Sequence, residues 1–379
     1  MDSMTGPTTY SPGLEGVLAG ESAISRIDME RNSLIIRGYD LVELTNGASY
    51  EEVAYLLLYG ELPDQSQLGA FLDSLRQERS LPQPLVEFLR QAPATVHPMA
   101  LLRTAVSALA FWDPDAGDNS AQANIAKATR LLAKVPMIIT AGHRLSQGLE
   151  PVAPHAELSQ AGNLLYMLRG VEPAQHEIEA INVSLILYAE HGYNASAFAA
   201  RVVTSTLSDL HSAVTAGIGA LSGPLHGGAN EKAMEMLLEV EGHGDPERWV
   251  AEALSEKKKI MGFGHREYKR GDSRVPSMKT VAEKIATAVN DHHWIELAGR
   301  VEETMVKEKG IHPNVDFPCS YTYYMMDIPI PLYTPIFVSS RVAGWSAHVI
   351  EQLAGNRLIR PNHIYTGHEP RPLTPLDQR

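Results

Sequence analysis

Apolar residues recur at three- and four-residue spacing over most of the chain, in runs separated by Pro, Gly or Asn-Gly, and this pattern predicts a mainly α protein. Between Thr45 and Pro93 it predicts three helices, near 49–60, 64–78 and 83–91, parted by Leu62-Pro63-Asp64 and Leu81-Pro82-Gln83-Pro84. Connections this short favour antiparallel neighbours. Further helices are expected at about 97–112, 119–148 with a kink at Pro136, 157–168 and 174–190. The strand signal lies near the start, where Ile24 to Asp28 and Leu34 to Arg37 flank Met29-Glu30-Arg31-Asn32 as a hairpin. From Ser196 to Ala220 nearly every position is apolar or small, with Phe198, Val202, Leu210 and Val214 set among Ala, Ser, Thr and Gly. That reads as one helix buried all round. It fits the centre of a domain or a subunit interface, and an ordinary core helix equally well.

The pattern changes after Ser222-Gly223-Pro224: the chain is more charged to about Met305, then interrupted by Pro313, Pro318, Pro329, Pro331 and Pro335. We read 1–220 as the first part of a large helical domain, 221–322 as a smaller inserted domain, and 323–379 as the return to the large one. The tail from Pro361, with Pro370, Pro372 and Pro375, is expected to be extended.

Composition narrows the function classes. With 44% hydrophobic and 20% charged residues, the 379-residue chain suits a globular protein of two or three domains. A formal net charge of −13 opposes nucleic-acid binding, and the Lys257-Lys258-Lys259 run is too short to overcome it. No stretch approaches the roughly 18 apolar residues of a membrane span, and the first residues lack the basic-then-apolar signature of a signal peptide. The single cysteine, Cys319, excludes an intrachain disulfide and fits a reducing compartment, so the cytoplasm is expected.

Three segments place an ionisable side chain beside glycine, proline or a turn, where backbone can approach a ligand. They are Gly223-Pro-Leu-His226-Gly-Gly-Ala-Asn-Glu231, Ile260-Met-Gly-Phe-Gly-His265-Arg-Glu-Tyr-Lys269 and His312-Pro-Asn-Val-Asp316-Phe317. Singly, each histidine reads more readily as structural, and Asp316 as a helix cap or turn residue. Their order and spacing carry the signal. With Ser340-Arg341 and Arg360-Pro361, they make the chain resemble the citrate synthase family over nearly its whole length.

The resemblance implies an almost all-helical homodimer, in some members a hexamer, that condenses acetyl-CoA with oxaloacetate and needs no metal or other cofactor. Within it, Asp316 matches the base that takes a proton from the acetyl methyl group. A carboxylate is a feeble base, so the enolate must be stabilised as it forms. His226 matches the neutral imidazole that does so, and His265 the group that activates the oxaloacetate carbonyl. Arg274, Arg341 and Arg360 match the arginines that hold the dianion, Arg360 reaching in from the other subunit. His191 and Phe337 match further oxaloacetate contacts. Lys259, Ile260, Met261, Gly262 and Phe263 match the turn on the CoA adenine, Lys269 a phosphate contact and Asn314 a contact near the thioester.

Three departures from the family pattern bear on the choice of acyl group: Phe317-Pro-Cys-Ser-Tyr321 after the base, Asp272-Ser273-Arg274, and Arg266-Glu267. The first makes 2-methylcitrate synthase, which uses propionyl-CoA, the nearest rival; a non-catalytic helical scaffold is the rival of another class. The long N-terminal extension of NADH-inhibited variants is lacking, so that regulation is not expected. Two other signals are set aside. Gly217-Ile-Gly219 follows a helical run rather than a strand, and His292-His293, preceded by Asp291, reads as a solvated turn rather than a metal site.

Overall fold

The computed structural model describes residues 10–265, 267, 268 and 270–379; the first nine residues, Arg266 and Lys269 lie outside them. Sixteen α-helices are present among the described residues, with one small antiparallel sheet. The expected early helices appear at Tyr50–Tyr59, Gln65–Gln77, Gln83–Gln91, Pro98–Leu109, Ala121–Ser146, Gln160–Arg169 and Gln175–Tyr188. Several starts carry their own caps. Ser49 and Glu52 form a reciprocal capping box, Asp64 and Gln67 another, and Ser120 and Ser159 each accept a first-turn backbone N–H. Helix Ala121–Ser146 runs on through Pro136.

The hairpin is found at Ser25–Asp28 and Ser33–Ile36, in a register that pairs Ser25 with Ile36. A short third strand, Tyr39–Asp40, extends it and leads into the helix Leu41–Gly47, which the hydrophobic pattern did not reveal. The single helix expected over Ser196–Ala220 is two, Ala195–Ser205 and Leu210–Leu221. Leu207 takes a left-handed φ of 66°, and Asp209 caps the second helix by accepting the Ser212 N–H, so local capping overrides the continuous apolar pattern. Nor is the pair buried all round: Val202, Val203, Thr215, Ala216, Gly219 and Ala220 keep partial exposure.

At the centre lies Tyr333–Ala354, buried at every position from Tyr333 to Val349. It begins cleanly despite Pro335, because a proline in the first helical turn forfeits no intrahelical hydrogen bond. Helices Tyr50–Tyr59, Ala121–Ser146, Gln175–Tyr188, Ala195–Ser205 and Leu210–Leu221 pack against it. Two glycines make that closeness possible. A Cβ on Gly217 would stand 2.9 Å from the Trp345 ring, and one on Gly344 2.3 Å from the Ala189 carbonyl oxygen.

Helices Ala229–His243, Pro246–Ser255, Val275–Val289, His293–Lys309 and Asp316–Met325 pack on one another, and Val275–Val289 also packs on Gln175–Tyr188. After Ala354 the chain forms no α-helix or strand, the expected extended tail being broken by a short 3-10 turn at Leu376–Gln378, and every residue from 361 onward is exposed. No helix among the described residues is long and apolar enough to cross a membrane.

Candidate active site

Asp316 opens the helix Asp316–Met325, and its position is fixed from two sides. Its backbone N–H donates to Asn314 Oδ1 at 3.0 Å, and its Oδ1 accepts the Tyr188 hydroxyl at 2.7 Å. Burial raises the carboxyl from its ordinary 3.8 to about 6, against the opposing pull of the Tyr188 hydrogen bond and the Arg274 charge. The group remains ionised at neutral pH, yet is a far stronger base than a solvated carboxylate.

The turn carrying His265 is clamped to the segment carrying Asp316. Gly264 N–H donates to the His312 carbonyl and Asn314 N–H to the Gly262 carbonyl, each at 2.9 Å, while Asn314 Nδ2 donates to the Gly264 carbonyl at 3.0 Å. Gly262 sits at φ 78°, where a Cβ would lie 2.9 Å from Phe317 Cβ, so glycine is required both for conformation and for space. Ile260 is buried, Met261 and Phe263 partly so, and Lys259 exposed. Asn314 thus joins the two segments through its backbone N–H and its Nδ2, while its Oδ1 holds the Asp316 backbone.

His265 Nδ1 accepts the backbone N–H groups of Glu267 and Tyr268 at 3.1 and 3.4 Å. An acceptor at Nδ1 places the proton on Nε2. His226, in the loop after Leu210–Leu221, has the reverse arrangement. Its Nε2 faces Ser196 Oγ at 2.8 Å and the Ser196 backbone N–H at 3.3 Å. A backbone N–H can only donate, so the proton belongs on Nδ1. Burial, with the nearby Arg341 charge, lowers His226 to about 3 and keeps it neutral.

Around these groups lies a buried cluster of polar side chains that includes two arginines. The His191 ring is 5.0 Å from that of His265, and burial together with Arg274, His265 and Arg341 holds it well below its ordinary value. Arg341 Nε donates to the Tyr188 carbonyl at 2.5 Å, and burial lowers the group to about 10. Its guanidinium stands 4.8 Å from the centre of the Phe337 ring, which packs on Tyr188 at 4.0 Å and faces His226 at 6.5 Å. Arg274 is paired in two-pronged fashion with Asp272, at 2.9 and 2.7 Å. Burial opposes its charge, but Asp272 holds it above the ordinary arginine range. Two polar atoms here, His191 Nε2 and Arg341 Nη1, are buried without a hydrogen-bond partner among the described residues. A buried guanidinium N–H left unsatisfied is costly, so Arg341 Nη1 marks a place suited to an anionic group.

The structure therefore brings together His191, His226, His265, Arg274, Asp316, Phe337 and Arg341. Arg360 stands apart, exposed on the extended segment beyond the central helix. That segment is rooted where Ile359 N–H meets Ser205 Oγ, at the end of Ala195–Ser205. The sequence reading missed three participants. Tyr188 lies three residues before His191, a spacing that could have flagged it at the helix end. Asp272 was noted only as part of a departure, yet its Oδ2 also accepts the Val315 N–H at 3.0 Å. Ser196 had no signal of its own. The Phe317–Tyr321 run meets the site indirectly: Phe317 packs on Phe263 at 4.7 Å, and Cys319 is fully buried against Tyr188 and Tyr323.

The model of the citrate synthase C-terminal domain matches residues 13–362. The chain belongs to the citrate synthase family. It is 46% identical to the 2-methylcitrate synthase of Mycobacterium tuberculosis over 376 residues, covering 98% of this chain and 95% of that one. It is equally, 46%, identical to a citrate synthase of Mycolicibacterium smegmatis over 361 residues, covering 95% and 96% of the two chains. Among solved structures, the Thermoplasma acidophilum citrate synthase in ternary complex with carboxymethyl coenzyme A and oxaloacetate superposes with a TM-score of 0.91 at 33% identity, covering 98% of this chain and all of that one. Condensing chemistry is the family's activity, and the site described above is where the chain's matching residues converge.

Proposed function

We propose that the protein condenses acetyl-CoA with oxaloacetate and water to give citrate and CoA, making it an acyltransferase in which the acyl group becomes an alkyl group on transfer. The observation that carries this reading is the convergence of a carboxylate base raised to about 6 with a neutral His226 and with His265, which accepts at Nδ1, around the buried, unpartnered Nη1 of Arg341.

Asp316 takes a proton from the acetyl methyl carbon. Its raised basicity offsets about 3 kcal/mol of the mismatch with that carbon acid, at ~1.36 kcal/mol per pH unit. His226 donates its Nδ1 proton as a hydrogen bond to the thioester oxygen, where the enolate charge gathers. His265 Nε2–H faces the ketone oxygen of oxaloacetate and protonates it as the enolate carbon attacks. Arg274, Arg341 and His191 hold the two carboxylates, and Arg360 of a second copy completes the set. Hydrolysis of the citryl thioester then releases citrate and CoA. CoA lies along the Lys259–Phe263 turn and Lys269. These steps run on side chains and call for no metal or other cofactor.

The Arg360 assignment implies a homodimer. It draws support from the partly exposed small-residue face of Ala195–Ser205 and Leu210–Leu221, and from the root of the Arg360 segment at Ser205. In this reading 221–322 is the smaller domain that closes on the substrates, and the enzyme serves the tricarboxylic acid cycle in the cytoplasm. A second reading, condensation of propionyl-CoA to 2-methylcitrate, stands beside it because the chain is equally identical to relatives of both names. One methylene alters binding by only ~1–3 kcal/mol in an apolar pocket, so both thioesters are expected to react. Thiol release measured with oxaloacetate and each acyl-CoA decides between them through kcat/KM. Preference for propionyl-CoA establishes the second reading, and no turnover with either overturns both.

A further inference from the structure

We infer that Trp345 is a positioning residue for His226, acting through Ser196 to fix which ring nitrogen carries the proton; this rests on the role proposed above for His226. Trp345 is fully buried on the central helix, its ring seated over Gly217, where a Cβ would intrude to 2.9 Å. Its indole Nε1–H donates to Ser196 Oγ at 3.0 Å.

The Ser196 hydroxyl has one proton and two neighbours that could take it: Asn194 Oδ1 at 2.7 Å and His226 Nε2 at 2.8 Å. The Asn194 atom is the oxygen, because the backbone N–H groups of Ser196 and Ala197 also point at it, at 3.1 and 3.0 Å. Two arrangements follow. In one, Ser196 donates to His226 Nε2, and the imidazole carries its proton on Nδ1, the nitrogen that serves the enolate. In the other, Ser196 donates to Asn194, and His226 must donate from Nε2 to Ser196 Oγ. That second arrangement sets the Nε2 proton against the Ser196 backbone N–H at 3.3 Å. It also asks the serine oxygen to accept from histidine and tryptophan together.

By occupying one lone pair, Trp345 makes Ser196 a poorer acceptor and, through polarisation along the chain of bonds, a better donor. Both effects favour the first arrangement. An indole can only donate, so it cannot reverse the chain. Phenylalanine at this position would fill most of the volume and lose that control.

The test is Trp345→Phe in the full-length enzyme, with two readouts. In steady-state thiol release, kcat is expected to fall about tenfold, the contribution of roughly one neutral hydrogen bond, while KM for oxaloacetate stays within about twofold. In the same variant, 15N NMR of the histidine rings is expected to show His226 shifting from Nδ1–H towards Nε2–H. An unchanged kcat overturns the inference, as does a reduced kcat with the tautomer unchanged. If the variant does not fold, the wild type still decides: His226 must be Nδ1–H, with the Trp345 indole proton protected from exchange, and Nε2–H there overturns it. Absence of turnover in the wild type is a separate failure, of the parent reading, and leaves the tautomer measurement standing.

Discussion

Replacing Asp316 by Asn is expected to abolish turnover and to make the protein more stable. Burial raises the folded-state carboxyl from 3.8 to about 6, so at neutral pH the native fold holds a charge that it disfavours relative to the unfolded chain. At ~1.36 kcal/mol per pH unit the penalty approaches about 3 kcal/mol. The sign follows from the direction of the shift. A carboxyl raised on folding favours the native state while protonated, below about pH 4, and that advantage is lost as pH climbs through about 6. Asn cannot ionise, keeps the shape, and still offers an oxygen to the Tyr188 hydroxyl. Urea unfolding of both proteins at a fixed protein concentration, from pH 4 to pH 8, should give matching stabilities at the acid end and a difference growing to as much as ~3 kcal/mol above pH 7. Over the same range, wild-type kcat/KM should fall about tenfold per pH unit below about 6. A variant no more stable than wild type at pH 8, or an acid limb centred near 4, would refute the claim that burial tunes this base.

Tyr188→Phe removes a hydrogen bond to the ionised carboxylate, worth ~1.5–3 kcal/mol, so the acid limb of the kcat/KM profile should move up by about one to two pH units. Arg341→Lys keeps the charge but loses the planar fork, and KM for oxaloacetate should rise about tenfold or more in steady-state assays. Gly262→Ala meets both a left-handed φ and a 2.9 Å contact with Phe317, so a loss of about 1–3 kcal/mol is expected in denaturant unfolding, with weaker CoA binding by calorimetry.

Where chemistry sits in a short local motif, it was readable from sequence: His226, His265 and Asp316 each stand beside a glycine or a turn in an unusual string of residues. Most early helices were readable too, because caps such as Ser49 and Asp64 coincide with the onset of the apolar period. What escaped depends on contacts between distant segments. Tyr188 acquires its role only because Gln175–Tyr188 ends against the start of Asp316–Met325, 128 residues away in sequence. Ser196 and Trp345 meet His226 in the same way. The break at Leu207 escaped because four polar-to-apolar residues, Thr206 to Asp209, do not disturb an otherwise continuous apolar run; only the Asp209 cap reveals it. Arg360 is exposed on the segment beyond the central helix and makes no contact with the other site residues described above, so the fold of one chain gives it no role.

The clamp between Gly262–Gly264 and His312–Asn314, reinforced by the bond from Val315 N–H to Asp272, has a consequence for how this protein can change length. Helices Val275–Val289 and His293–Lys309 leave and re-enter the site at nearly the same point, as an excursion tied off at its neck. Closing a longer excursion adds only ~0.6 kcal/mol per doubling of its length. The turn at Asn290–Asp291 is therefore the natural place to graft a reporter or a foreign peptide, since additions there are isolated from the acid, the base and the arginine by the knot below them.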